Sequence, residues 1–526
     1  MIGMRFLALF KKIDQFLDRH TAVLVLWALI IILRLPNFFE PYWYGDEAIY
    51  LTLGNALREG ERLYTTIIDH KTPLIYYLAM VPNQFYFRLL NLFWMLATTT
   101  MFFFFAKKLF VHQSLAMIAS LVLVIFTTLP WLEGHIPNGE LFVMGFVLAG
   151  ALLFSNSSLW RNFFADKFST KTKLNDNLLL LGSGVLMGLG VLTKVPALLD
   201  VAGFLAIAWL IFVRQFFKHN QLATVFLYLL RKGGVFFAGV ILSVLLSVVY
   251  FVVHGQGQDY LDYGLLYNFR YSQSWSHDFG SPLVNFLFSL PGKTLFLFFF
   301  VMLVSLSNHL PKRLQFTSIW FMATLYSVLL SSRPYPHYFI QMVPPFALLV
   351  TDLLVHSRRL VKYRAWASLR PLTLGVASLA IVGYVMLAFN FGVYSVSKYY
   401  GQFYRFATLQ IDRETYENSF DRLVADNRRA NALIQEMGVK RMFIWGTNPL
   451  LYAQSQTVPT SRFTVAFHIK DFDDHERTFA QIVQEAPKLI IVMNNEADSF
   501  PALNEYLAKY YIGNYDYQHM VLYWRK

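Results

Sequence analysis

The chain has 526 residues, of which 56% are hydrophobic and only 15% charged, with 51 phenylalanines and no cysteine. That balance excludes an ordinary soluble domain and a disordered chain and points to a polytopic membrane protein, while the missing cysteines exclude disulfides, thiolate metal sites and a cysteine nucleophile. The formal net charge of +13 invites a nucleic-acid reading, but the basic residues are placed as a topological signal plus an attraction to anionic headgroups, which leaves no nucleic-acid partner.

In chain order, MIGMRFLALFKKIDQFLDRH is amphipathic and basic, and the apolar run after it lacks a small-residue cleavage site, so an uncleaved anchor helix is expected. Next, Asp46 and Glu47 follow Tyr42, Trp43 and Tyr44. The spacing of Ile49, Leu53, Ala56 and Leu57, with Gly60 as a stop, predicts a short amphipathic helix lying along the bilayer with Asp46 at or near its N-cap. Apolar runs approaching the roughly 20 residues that cross a bilayer fall at 21–36, 84–106, 114–132, 138–156, 178–194, 197–217, 234–254, 286–308, 315–332, 336–356 and 372–393, about eleven spans. Lys11, Lys12, Lys107, Lys108, the stretches 161–173 and 214–232, Lys312, Arg313 and the stretch 358–370 then share one face. Asp46, Glu47, Asp69, Glu133, Asp259, Asp262 and Asp278 share the other, which predicts a cytoplasmic N-terminus and an extracytoplasmic segment after residue 393.

The span centres are nearly free of ionisable groups, which argues against an ion-coupled carrier. Arg34, Arg88, Glu140, Lys194, Lys293 and His337 instead sit toward the outer ends, level with Asp46, so a site at the outer leaflet is expected. Gly184 and Gly188 have the spacing that lets a neighbouring helix approach closely. Beyond residue 394 the pattern becomes that of a small α/β domain: helices over 415–437, 473–486 and 500–510, strands over 440–446 and 488–494, and a closing strand or hairpin in YDYQHMVLYWRK. The division is thus a membrane domain over 1–393, with a first outer loop at 37–83, and an extracytoplasmic domain over 394–526.

Six stretches carry a family resemblance: YGDEAIY, DHKTPLIYYL, HIPNGELFVM, GLGVLTKVPALL, SRPYPHYFIQMVPPFALL and MFIWGTNPLLYAQSQTVPTSRF. In this order the chain resembles the GT-C type glycosyltransferases that use polyprenyl-phosphate sugars, the superfamily of the protein O-mannosyltransferases and the lipid A aminoarabinose transferase. The resemblance implies an enzyme of the bacterial plasma (inner) membrane that transfers a hexose or pentose, with inversion, from a polyprenyl-phosphate donor to a lipid, glycan or protein acceptor. Two departures stand out: the second-loop acid is Glu140 where the aminoarabinose transferase has Asp, and the usual Lys-Pro-Pro is Lys71-Thr72-Pro73.

Such a transfer needs a carboxylate to take the acceptor's proton and cations to receive the phosphate. Asp46 is the expected general base with Glu47 as a supporting or ligating acid, and Asp46 and Glu140 are the candidate ligands of a divalent ion, Mg, Mn or Zn. Lys71, Lys194, Arg333, His337 and Tyr338 are expected at the donor phosphate. His70, Arg88 and Asn138 are expected at the substrate. Each has a plainer alternative: Asp46 as a helix cap, Lys194 and Arg333 snorkelling to headgroups, His337 in an interfacial belt, Glu140 favoured by a helix dipole with Asn138 as cap. Two other functions also remain open, a lipid or polysaccharide carrier (flippase) and a non-catalytic assembly subunit.

Overall fold

The computed structural model describes residues 20–218, 221–273, 278–307, 309–363, 366, 369–494, 496 and 499–526; the expected amphipathic N-terminal segment, up to residue 19, lies outside them. Among the described residues, seven helices are long and apolar enough to cross a membrane: His20–Phe39, Gln84–Phe110, Asp176–Thr193, Val195–Phe217, Leu222–Val253, Pro336–Val361 and Leu369–Ala388. The number rises to nine when two bent pairs each count as one span. In the first, Gly139–Phe154 and Ser158–Phe164 meet at 73°, and in the second, Pro282–Phe288 and Leu290–Leu306 meet at 70°. A serine starts the second helix of each pair, Ser157 accepting from the Trp160 amide and Ser289 from the Gly292 amide, so the bends are capped breaks. Two expected spans fall on Gln113–Thr128 and Lys312–Val328, of 16 and 17 residues. Among the described residues, seven to nine of the about eleven expected spans thus meet the test of length and composition, and the other two fall on these shorter helices.

The helices of this integral membrane protein pack through small residues where the sequence expects it. A Cβ on Gly184 would lie 1.9 Å from the Phe236 carbonyl oxygen and one on Gly188 2.8 Å from the Ser243 side chain. Ser243 Oγ donates to the Val185 carbonyl at 3.0 Å across the same contact. In lipid, where apolar side chains gain little by leaving one apolar medium for another, such close backbone approach supplies the packing. Asp200 adds a buried polar lock, its two oxygens accepting from Trp320 Nε1 and Gln341 Nε2, each at 2.7 Å.

The first outer loop departs from its expectation. Gly45–Arg58 is helical, but its apolar face meets protein and not lipid, because every residue from Glu47 to Ala56 is buried. Its cover comes from the C-terminal segment: Leu450, Ala453, Val458 and Val465 share one apolar cluster with Ile49, Leu53 and Ala56. The loop and the C-terminal domain are also stitched by the Ile68 amide donating to the Arg462 carbonyl at 2.7 Å, by Arg441 with Glu61 at 2.6 Å, and by Asn55 Nδ2 donating to the Gln456 carbonyl at 3.0 Å.

The C-terminal domain holds strands β1 (Arg441–Trp445), β2 (Val458–Pro459), β3 (Leu489–Met493), β4 (Tyr511–Asn514) and β5 (Met520–Arg525) in the order β2-β1-β3-β5-β4. The first three run parallel, and β5 and β4 close the sheet as an antiparallel hairpin. Alternation along the strands feeds two cores: Phe443, Trp445 and Ile490 on one face, Met442, Ile444 and Ile491 on the other. The helix expected over 415–437 is two, Arg413–Asn418 and Val424–Glu436, because Asp421 Oδ1 accepts from the Leu423 amide at 2.8 Å and starts a new helix there.

Gly184→Leu is expected to cost at least ~1–3 kcal/mol through overpacking against the Phe236 carbonyl, seen as a lower Tm in detergent. Gly182→Ala, whose nearest new neighbour would be the flexible Leu153 side chain at 3.4 Å, should leave Tm unchanged.

Candidate active site

Two cavities meet where the outer loops face the C-terminal domain. One, of about 470 Å³, is polar and open to Asp46, Asp69, Glu133, Arg333, His337 and His468. The other, of about 360 Å³, runs between apolar side chains including Leu198, Leu199, Phe269, Leu290 and Leu330 and holds Lys194 and Glu140. His70, Lys71, Tyr271 and Tyr338 line both.

Asp46 occupies the first turn of the Gly45–Arg58 helix, where the dipole favours a carboxylate, although Tyr44 and not Asp46 is the N-cap. Its side chain keeps 27% of its surface exposed, with Oδ1 3.7 Å from Lys71 Nζ and Oδ2 3.8 Å from His337 Nε2. The Tyr50 hydroxyl donates to Oδ2 at 3.2 Å. Burial works against the charge on Asp46, but Lys71, His337 and Lys194 outweigh it and hold the carboxyl below its ordinary value of 3.8.

Lys71 is the link to the second acid, its Nζ lying 3.5 Å from Asp69 Oδ2 as well as near Asp46. Burial disfavours its charge, yet Asp46 and Asp69 together push its pKa above the usual lysine range. The loop that carries it is pinned at several points: Tyr64 donates to the Lys71 carbonyl at 2.7 Å, the Lys71 amide donates to Tyr76 Oη at 3.1 Å, and Thr72 donates to the Val191 carbonyl at 3.1 Å. Asp69 is fully buried, and although burial opposes its charge, Lys71 and His70 hold its pKa well below 3.8. Burial drives His468 the other way, down to about 3, so its imidazole is neutral.

The second loop supplies Glu133 in the left-handed region, at φ 58°. Its Oε2 accepts from the Tyr44 hydroxyl and lies against His337 Nδ1, both at 2.5 Å. Arg34 fixes this loop by donating to the Thr127 and His135 carbonyls at 2.8 and 3.1 Å. The result is a row, Glu133 to His337 to Asp46, that presents His337 Nε2 to Asp46.

Of the sequence-predicted residues, Asp46, Lys71, His70, Arg333, His337 and Tyr338 line the polar cavity. Arg333 lies over the Tyr271 ring with its guanidinium carbon 4.2 Å from the ring centre. Lys194 does not snorkel outward: it pairs with Glu140 and sits 4.2 Å over the Tyr338 ring. Three residues are elsewhere. Glu47 is buried and takes two bonds from Arg88, both at 2.8 Å, and a third from Gln84 at 3.0 Å, so neither Glu47 nor Arg88 reaches either cavity. Asn138 is buried behind the second loop, donating to the Glu133 carbonyl at 3.0 Å; it occupies the expected N-cap position without a side-chain cap bond. The expected metal pair is also divided, Asp46 lining the polar cavity and Glu140 the apolar one, tied to Lys194. Among the described residues, the three-ligand group that could hold a metal is Asp69, His70 and His468.

The sequence reading assigned no role to Asp69, Glu133, Tyr271 or His468. Asp69 was visible as an acid inside DHKTP, whereas His468 lies 398 residues from His70 and no local pattern connects them.

No protein-family model and no curated protein matches this chain. Among solved structures it is similar to ArnT from Cupriavidus metallidurans bound to undecaprenyl phosphate, at 13% sequence identity over 96% of this chain and 98% of that one, with a TM-score of 0.52. The same protein in the apo state matches at 12% identity over 99% and 98% of the two chains, with a TM-score of 0.47. The oligosaccharyltransferase AglB from Archaeoglobus fulgidus, in complex with an inhibitory peptide and a dolichol-phosphate, matches at 11% identity over 90% and 69%, with a TM-score of 0.42. The first likeness shows that the chain has the ArnT-like GT-C fold along nearly its whole length.

Glu47→Ala leaves Arg88 buried without its main partner, so a loss of ~3–5 kcal/mol of stability is expected. Thermal unfolding in detergent should report it, and a Glu47→Ala protein with wild-type Tm would return Glu47 to the list of reacting acids.

Proposed function

We propose that the protein is an inverting membrane glycosyltransferase that moves a sugar from a polyprenyl-phosphate carrier to an acceptor hydroxyl outside the cytoplasm. The observation that carries this reading is the junction of an apolar and a polar cavity at Lys71, Tyr271 and Tyr338, with Lys194 in one and Arg333 in the other. A lipid phosphate sugar has the same division: an isoprenoid tail, an anion and a polar head. The apolar cavity suits the start of the tail, the cations beside the junction suit the phosphate, and the polar cavity suits the sugar and the acceptor. Undecaprenyl phosphate, the molecule bound in the ArnT crystal, is the carrier this reading favours. Basic loops on one face of the membrane support a plasma-membrane protein with its N-terminus inside and its C-terminal domain outside.

In the reaction, Asp46 takes the proton of the acceptor hydroxyl as that oxygen bonds to the sugar's anomeric carbon. The bond from that carbon to the phosphate oxygen breaks, and its electron pair leaves with the lipid phosphate. Lys71, Lys194 and Arg333 are placed to meet the charge that develops there. Attack from the face opposite the leaving phosphate inverts the centre. Glu133 orients His337, which lies beside Asp46 and helps to keep it ionised. A carrier without chemistry has no use for a carboxylate held ionised among cations at the polar end of a lipid groove, and this favours the transferase over the flippase.

Asp46→Asn preserves shape and is expected to fold normally while turnover falls by roughly 10²–10⁴-fold. Because the wild-type carboxyl titrates below 3.8, its base form persists as pH falls through the mildly acidic range, and no loss of rate from Asp46 is expected until pH drops beneath that value. Arg333→Ala should weaken binding of undecaprenyl phosphate by ~1.5–3 kcal/mol. A product with retained anomeric configuration, or an Asp46→Asn protein of wild-type rate, would overturn the assignment.

A further inference from the structure

We infer that a side chamber off the polar cavity is an acceptor subsite, holding the second sugar ring of a neutral glycan whose first ring presents a hydroxyl to Asp46; this rests on the reading of the polar cavity as the place where donor and acceptor meet. The chamber, of about 150 Å³, shares Trp43, Tyr394 and Phe420 with the polar cavity as a common wall. These three come from separate parts of the chain: the first outer loop, the stretch after the Leu369–Ala388 helix and the C-terminal domain. The Trp43 ring is centred 5.6 Å from that of Phe420 and 5.9 Å from that of Tyr394. Its Nε1 donates to Glu40 Oε2 at 2.7 Å, which fixes the indole where the two spaces join. Trp43 stands three residues before Asp46, at most about 11 Å of extended chain, so the chamber branches off close to the proposed base.

Size and lining together select the occupant. An apolar cavity of about 150 Å³ takes a benzene ring, so this chamber suits a single six-membered ring with its substituents projecting through the open sides. Aromatic faces match the C–H faces of a pyranose, and the hydroxyls around its edge need groups that donate and accept. His135, Ser395, Lys398, Gln402 and Ser419 supply them. His135 is the most informative of these: it is 1% exposed, and neither of its ring nitrogens has a hydrogen-bond partner. Glu40 Oε1, 3.7 Å from Nε2, lies beyond hydrogen-bond range. Burial, with Arg88 and Arg34 nearby, pushes the His135 pKa down to about 3, so the imidazole is neutral and has one nitrogen to donate and one to accept. A buried polar ring without a partner is costly, and a sugar hydroxyl would relieve that cost. The same lining counts against other acceptors. Among the described residues the chamber is lined by no carboxylate and by a single cation, Lys398, too little for a phosphorylated headgroup, and by no strand to which an extended peptide could add.

The test measures sugar binding to the full-length protein in detergent by saturation-transfer NMR. The probes are cellobiose, maltose, lactose and N,N′-diacetylchitobiose, each compared with the methyl pyranosides of its own rings. At least one disaccharide is expected to bind about tenfold more tightly than its methyl pyranosides, the order of one further ring contact. Trp43→Ala should remove that advantage. Ser419→Trp, which fills the chamber from an exposed position, should remove it too while leaving the pyranosides bound as before, and it keeps the test decisive if Trp43→Ala fails to fold. Disaccharides that all bind no better than their pyranosides would overturn the subsite, as would an advantage that survives in the folded variants. Turnover of Asp46→Asn tests the transfer reaction, whereas the sugars are read by binding alone, in the wild type and in Asp46→Asn alike, so either reading can fail without the other.

Discussion

The ammonium of Lys71, shared between Asp46 at 3.7 Å and Asp69 at 3.5 Å, is the interaction on which the site depends. A lysine whose side chain is only 8% exposed must have its charge met, and two acids on different segments meet it. One acid is on the helix that opens the loop and the other is on the strand-like return two residues before Lys71, so the cation folds the loop back on itself. It also gives the two acids different surroundings. Asp46 remains partly open to the cavity, whereas Asp69 is sealed beneath it among aromatic hydroxyls and imidazoles.

That arrangement survives because the loop is covered from both sides. Below it, Thr72 is tied to the end of the Asp176–Thr193 helix, whose own position is set by backbone contact at Gly184 and Gly188. Above it, the C-terminal domain contributes Val465 to the apolar cluster and His468 to the buried polar one. Buried carboxylates, imidazoles and a lysine are stable only when each finds partners, and here the partners come from the outer loops, one membrane-helix end and the distant domain together. Glu47 and Arg88 play a different part. Their buried pair, joined by Glu40 at 3.4 Å from Arg88, fixes the start of the Gln84–Phe110 helix to the loop and leaves the neighbouring Asp46 to face the cavity.

Adjacent carboxylates thus have opposite fates for a geometric reason. Successive residues on a helix point about 100° apart, so Asp46 and Glu47 cannot share a direction, and the one turned inward needed an arginine. Glu140 is separated from Asp46 by the element that carries it: in the first turn of Gly139–Phe154 it lies on the apolar side of the junction, where Lys194 neutralises it.

Much was legible without coordinates. Each expected apolar run falls on a helix or a bent helix pair, although Leu222–Val253 begins twelve residues before the expected 234, and short apolar runs located β1 and β3, since a strand covered on both faces is apolar throughout. That Asp46, Lys71, Lys194, Arg333 and His337 gather at one end of the helices was readable for a related reason, because charge is excluded from span centres. What the sequence could not decide was direction and partnership. Whether Glu47 or Asp46 faced the cavity, whether the Gly45–Arg58 helix met lipid or protein, and whether His70 had His468 as a neighbour all depended on how a domain nearly 400 residues away settled on the first loop. Such contacts leave no periodic trace along the chain; they arise from the packing of surfaces that only the folded protein brings together.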